Sequence, residues 1–153
     1  MNTDNGSLTR SLLMTACVAV TGCVAAGHRT LVTVADARTA PATLVDAGEP
    51  GDSLGDAVVF DQPLLDEGGA VIGNNSGVCI RTRVAHSYQC QWTLTFDNGS
   101  IQVAGREADQ GSSAISIVGG TGAYTGISGQ MISTNNNDGT FTQTLTFRLR
   151  QSQ

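Results

Sequence analysis

The sequence predicts an all-β domain, a small antiparallel barrel or sandwich, and three observations predict it. Several stretches alternate apolar and polar residues with a period of two, as half-buried strands do. Clusters rich in glycine, asparagine and aspartate punctuate them at short intervals. No stretch of ten residues beyond the N-terminal segment carries helical periodicity. A chain of 153 residues is long enough for one such core.

The elements can be justified in order. Residues 1–28 are expected to be a leader outside the fold. Arg10 precedes an uncharged apolar run from Leu12 to Ala26, short for a membrane span and suited to the apolar region of an export signal. Val20-Thr21-Gly22-Cys23 resembles a bacterial lipobox, in which Cys23 would be lipidated and tether the protein to a membrane. Cleavage near Ala25-Ala26-Gly27 is the alternative. Either route predicts an exported protein, secreted or anchored at the cell envelope. Residues 29–153 are expected to be the single folded domain. Strand candidates there are 30–35, 56–60, 78–84, Cys90–Phe96, Ile101–Arg106, 114–118, 127–134 and Phe141–Leu149. Residues 37–55 read as a long irregular connection. Asn74-Asn75-Ser76-Gly77 and Gly119-Gly120-Thr121-Gly122 read as turns.

Composition excludes several function classes. Thirteen acidic residues against eight basic ones give a net charge of -5, which opposes nucleic-acid binding. Every basic residue is arginine, so neither a lysine Schiff base nor a P-loop lysine is available. With two histidines and no Cys-x-x-Cys spacing, no metal site is expected. The carboxylates Asp52, Asp56, Asp61, Asp66 and Glu67 lack the spacing of a calcium loop and read as solvated turns.

Turn chemistry permits register arithmetic. Asn98-Gly99 favours a two-residue type I′ hairpin, which would set Phe96 opposite Ile101, Leu94 opposite Val103 and Trp92 opposite Gly105. Setting Cys79 opposite Cys90 in the preceding hairpin places Gly77 against Trp92, Arg81 against Tyr88 and Arg83 against His86. The one tryptophan would then sit between two glycines. Both hairpins put Cys79, Arg81, Arg83, Tyr88, Cys90, Trp92, Leu94, Phe96, Ile101 and Val103 on one face. That face grades from an apolar end to a polar, aromatic end carrying Arg81, Arg83, His86 and Tyr88. In a barrel this would be an apolar floor under a polar mouth. Cys79 and Cys90 are expected to form a cross-strand disulfide, as export would favour; a free cavity-lining thiol at Cys79 is the rival reading.

Four stretches together resemble the allene oxide cyclase and dirigent barrel superfamily. They are Gly55–Asp66 (GDAVVFDQPLLD), Ile72–Cys79 (IGNNSGVC), Thr93–Gly105 (TLTFDNGSIQVAG) and Ile117–Tyr124 (IVGGTGAY), with Gly126 and Gly129 after the last. The resemblance implies an eight-stranded antiparallel barrel with an internal cavity, and is nearest to exported bacterial members. It implies cofactor-free chemistry by confinement. Plant allene oxide cyclases steer closure of an unstable fatty-acid epoxide. Dirigent proteins direct phenoxy-radical coupling, and related bacterial barrels close polyketide rings. The cyclase pattern has a phenylalanine and, two positions on, an asparagine holding a water. Phe60 matches the first, and Gln62 stands at the second. Cys79 matches the cysteine of that pattern. The cyclase's first-strand glutamate has no secure match, and only Asp36 is acidic nearby.

The expected function is therefore a cyclase or isomerase that folds a small apolar substrate in the cavity. Arg81, Tyr88 and Gln62 would polarise the substrate, and Trp92, Phe60, Cys79 and Leu94 would line the pocket. The alternatives are a non-catalytic dirigent-like or ligand-binding barrel, and a solidly packed structural one. Relatives often assemble as dimers or trimers, but no apolar outer stripe in the sequence compels a homo-oligomer.

Overall fold

Alternation becomes nine strands in the computed structural model, which describes residues 27–150. The leader reading, including the Cys23 lipobox, lies outside the described residues. The strands are β1 (Arg29–Asp36), β2 (Thr43–Val45), β3 (Ala57–Leu65), β4 (Val71–Arg83), β5 (Ser87–Phe96), β6 (Gly99–Ala108), β7 (Ser112–Gly122), β8 (Ile127–Asn135) and β9 (Thr140–Leu149). All pairings are antiparallel, in the order β1-β9-β8-β7-β6-β5-β4-β3-β2. A further pairing, Val34 with Leu65 and Ala35 with Leu64, joins β1 to β3 and closes the eight longer strands into a barrel. Closure leaves β2 as the one appended strand, laid on β3 outside the ring.

Three expectations need correction. The segment 37–55 is not wholly irregular, because β2 forms within it. Asn74–Gly77 is strand interior rather than a turn. Asn75 points into the barrel, where the Gln143 amide donates to its Oδ1 at 3.2 Å, so the polar side chain is satisfied. Gly119–Gly122 likewise continues β7.

The β5–β6 register differs by two residues, which keeps the same faces together. Phe96 faces Gly99, Leu94 faces Ile101 and Trp92 faces Val103, while Gly105 faces Cys90. The loop is Asp97-Asn98, and among the described residues only Ala85 and Asn137 are non-glycine residues at positive φ. Asn98 therefore does not adopt the conformation that a type I′ turn demands. Tertiary pairing overrides the local preference. Gly99 pairs with Gly122 of β7, and Asn98 O accepts from Ala123 N at 2.9 Å. Gly77 does face Trp92, and a Cβ at Gly77 would collide with the tryptophan Cβ and Gln91 O. The β4–β5 tip is also shifted, since a bulge after Arg81 pairs Arg83 with Ser87, not His86.

The barrel has two unlike ends. One is packed solid by Leu64, Leu94, Ile101, Met131 and Leu145, all fully buried. Tyr124 closes it, its ring 5.4 Å from that of Phe96 and 6.4 Å from that of Phe147. The other end is hollow. The outer surface also carries what the sequence reading missed: Val59 and Val78 pair across β3 and β4, Ile80 lies beside them, and all three are exposed.

Candidate functional site

The hollow end holds a cavity of about 360 Å³, within the range of small-molecule sites. Period-two alternation builds its walls. Phe60 and Gln62 project from β3, Asn75, Cys79 and Arg81 from β4, Tyr88 and Trp92 from β5, and Phe141 and Gln143 from β9. Trp92 is 4% exposed and meets the Phe60 ring edge-on at 6.4 Å. Among the described residues, its Nε1 has no hydrogen-bond partner. Three buried amides, Gln62, Asn75 and Gln143, give the inner part polarity. Thr33 Oγ1 donates to Gln143 Oε1 at 3.1 Å, which fixes the Gln143 amide so that it donates onward to Asn75. Among the described residues, no such partner ties Gln62.

Arg81 organises the mouth. It is only 7% exposed, and its guanidinium lies over the Tyr88 ring at 3.6 Å. Nη1 donates to Asp109 Oδ1 at 2.6 Å, and Nη2 donates to the Tyr88 hydroxyl. Nε approaches Asp52 Oδ1 at 2.6 Å as an ion pair without hydrogen-bond alignment. Burial opposes the charge, but the Asp109 hydrogen bond and the surrounding negative charge hold the Arg81 pKa above its ordinary value. Burial also raises the Tyr88 pKa, against the pull of Arg81, so the phenol keeps its proton. Asp52 belongs to the connection between β2 and β3, and its other oxygen accepts from Ala85 N at 2.6 Å. Asp56 Oδ1 and Oδ2 bind Ala47 N and Ser53 N, so two carboxylates read as solvated turns pin this strap across the mouth. Ala37 and Ala42, at the start of the strap, line the cavity.

The structure thus gathers six of the seven sequence-derived site residues, Arg81, Tyr88, Gln62, Trp92, Phe60 and Cys79, around one space. Leu94 lies away from it, fully buried in the packed end. Cys79 is bonded to Cys90, so the wall presents a disulfide and not a thiol. Asp36 is not at the cavity; it binds Arg38 through both oxygens, at 2.8 and 3.0 Å. Arg83 is exposed, and neither it nor His86 lines the space.

Sequence reasoning missed Glu107, Asp109, Asn75, Gln143 and Ser133, which also line the cavity. Glu107 is the consequential omission. Burial raises its pKa, and Ser133 Oγ donates to its Oε1 at 2.7 Å. The signal was present, since Ile101, Val103, Gly105 and Glu107 share one face of β6. Gln143 shares a face with Phe141, Leu145 and Phe147 in the same way. Among the described residues, no group of three or more His, Cys, Asp or Glu side chains is placed to hold a metal ion.

The pattern of the family described as Dirigent-like protein matches residues 20–150. The chain belongs to that family. Solved structures repeat the barrel. A pyocyanin demethylase superposes with a TM-score of 0.69 at 22% identity, over 78% of this chain and 99% of that one. The pterocarpan synthase dirigent protein GePTS1 gives 0.63 at 18% identity, over 81% of this chain and 89% of that one. The Diels Alderase AbmU from Streptomyces koyangensis gives 0.63 at 21% identity, over 80% of this chain and 64% of that one. At such identities the likeness is one of fold. No curated protein sequence matches. Within this dirigent-like barrel, the hollow end and its polar rim are what sequence and geometry jointly mark as the candidate site.

Proposed function

We propose that this dirigent-like barrel is a small-molecule cyclase or isomerase that folds an apolar substrate inside the hollow end, using no cofactor. One observation carries the reading: half the barrel is packed solid, while the other half keeps a 360 Å³ space walled by Phe60, Tyr88, Trp92 and Phe141. Confinement of a flexible reactive chain in one conformation lowers a barrier by removing orientational freedom in advance, by up to roughly 7–11 kcal/mol in ideal cases. The Tyr88 phenol, kept protonated, is the donor for a developing oxyanion. Gln62, with its amide untied, offers a second donor. Arg81 is already committed to Asp52, Asp109 and Tyr88, so its role is to position Tyr88 and the strap rather than to touch substrate.

Family membership supports a second reading, a dirigent-like protein that binds and orients without turnover. The two separate in one experiment. A linear diene–dienophile substrate of the polyketide type is incubated with protein, with buffer, and with Tyr88→Phe or Ala37→Trp protein. A cyclase forms product faster than buffer does, Tyr88→Phe slows it, and Ala37→Trp, which plugs the mouth, abolishes it. Binding without acceleration, seen as quenching of the single tryptophan Trp92, supports the second reading. Neither binding nor turnover with any apolar substrate sinks both.

The N-terminal segment adds a location. We read residues 1–28 as an export leader and Cys23 as a lipidation site, which places the barrel in an oxidising compartment where the Cys79–Cys90 bond persists. Labelling cells with a fatty-acid analogue tests it: the wild type takes label and Cys23→Ser does not.

A further inference from the structure

The charges around the cavity are unsuited to an anionic ligand. Among the described residues, Arg81 is the one cation lining it, and Asp52 and Asp109 already hold that guanidinium at 2.6 Å each. Glu107 also lines the cavity and, among the described residues, makes no ion pair; its one hydrogen bond is from Ser133. The rings of Phe60, Tyr88, Trp92 and Phe141 line the same cavity, and Tyr88 pairs with Glu107 across β5 and β6. The face of an aromatic ring attracts a cation, most strongly where water is excluded. A carboxylate in the same enclosure supplies the counter-charge. A carboxylate ligand would meet Glu107 and Asp109 with no free cation to receive it.

We propose that the otherwise apolar ligand of this cavity carries a cationic nitrogen, and that Glu107 is the residue that reads its charge. This rests on the small-molecule reading above and narrows its substrate class away from fatty acids and other carboxylates. The ionisable surroundings of Glu107 are few. Tyr88 faces it from β5, Arg81 lies in the same cavity wall on β4, and Asp109 follows it just beyond β6. Neither β7 nor β8 carries an ionisable side chain, and Arg106 is on the outer face. In the empty site, burial favours the neutral carboxyl. A bound cation favours the carboxylate, so binding releases the Glu107 proton to solvent and strengthens as pH rises.

Three tricyclic probes of one shape test this by calorimetry and by quenching of Trp92: aminoacridine as the cation, acridone as the neutral form, and acridine carboxylate as the anion. At about pH 8 the cation should bind roughly tenfold more tightly than acridone, and the anion more weakly than either. At about pH 4.5, below the raised pKa of Glu107, binding of the cation should release a proton, read from the dependence of the heat on buffer ionisation. Glu107→Gln should remove the preference and the proton release, and a cooperative melting transition shows that the variant is folded. Ser133→Ala, which keeps the carboxyl, should retain the preference. If acridone binds but the cation is not favoured, or if Glu107→Gln keeps the preference, the assignment of Glu107 is wrong while the cavity reading stands. If none of the three binds, the proposed charge recognition falls, while the cyclase reading is decided by the diene–dienophile assay.

Discussion

The two ends of the barrel are made from the same strands by the same alternation, yet one is filled and the other is empty. At the filled end the inward positions carry Leu94, Ile101, Met131 and Leu145, whose branched or flexible side chains are fully buried against one another in the core. Some two to six residues further along the same strands, the inward positions become Tyr88, Glu107, Ser133 and Phe141. Two of these are rigid rings and two are polar groups that must keep a partner, so they cannot collapse on one another. The difference shows how a fold separates its tasks: one end supplies stability, which leaves the other free to remain hollow.

Substitutions should separate those tasks. The largest effect belongs to the filled end. Leu94→Ala leaves a void among fully buried neighbours and should cost about 3 kcal/mol in urea unfolding, with probe affinity at the far end unchanged. An equal loss of probe binding in a folded Leu94→Ala protein would show that the ends are coupled. Next comes the wall between them. Cys79 and Cys90 close a loop with a sequence separation of 11, and replacing both with serine should cost roughly 2–3 kcal/mol under oxidising conditions. The same loss should appear in wild type on adding reductant, and none in the double variant.

How far this division was legible follows from the same physics. Alternation is local, so the eight longer strands and the apolar-to-polar gradient along β5 were readable, and setting the two cysteines opposite each other added the Cys79–Cys90 and Arg81–Tyr88 pairings. Other contacts across strands were not. Asn98-Gly99 promised a turn whose geometry the pairing of Gly99 with Gly122 overrode. Asn74-Asn75-Ser76 looked like punctuation because the Gln143 amide that satisfies Asn75 lies 68 residues away in sequence. Asp52 looked solvated because Arg81, its partner, lies on another strand. Glu107 was missed for a different reason: the alternation was followed to Gly105 and stopped, one step before the carboxyl.

The mouth should respond less than the floor. Arg81→Met removes the positive partner of Asp52 and Asp109 and loosens the strap. Those carboxylates remain 38% and 25% exposed, so water can take them up, and the loss should be about 2 kcal/mol rather than that of a fully buried pair. The sharper readout is limited proteolysis within residues 38–54, where cleavage should rise well beyond what the global stability loss explains. A uniform rise over the whole chain would deny the strap its dependence on Arg81.

The smallest effect divides the ends by pH. Glu107 has a folded pKa above its ordinary 4.5, because burial penalises the carboxylate more than Ser133 stabilises it. The folded protein therefore binds this proton more tightly than the unfolded chain does, and folding is favoured while the group is protonated. That contribution is complete below about pH 4.5 and is lost as pH rises through the raised value. Asp56 and Asp138, held low first by hydrogen bonds from Ala47 N and from the Thr140 hydroxyl respectively, act in the opposite sense. Their contribution is present above 3.8 and is lost as pH falls through their lowered values. Glu107→Gln should accordingly raise the melting temperature by a few degrees at about pH 8 and leave it unchanged near pH 4. The acid limb, set by the turn carboxylates, should be the same in both proteins. A Glu107→Gln protein that melts lower than wild type at alkaline pH would mean that the carboxylate is welcome in the empty cavity, and that the mouth end holds a positive charge not accounted for by Arg81.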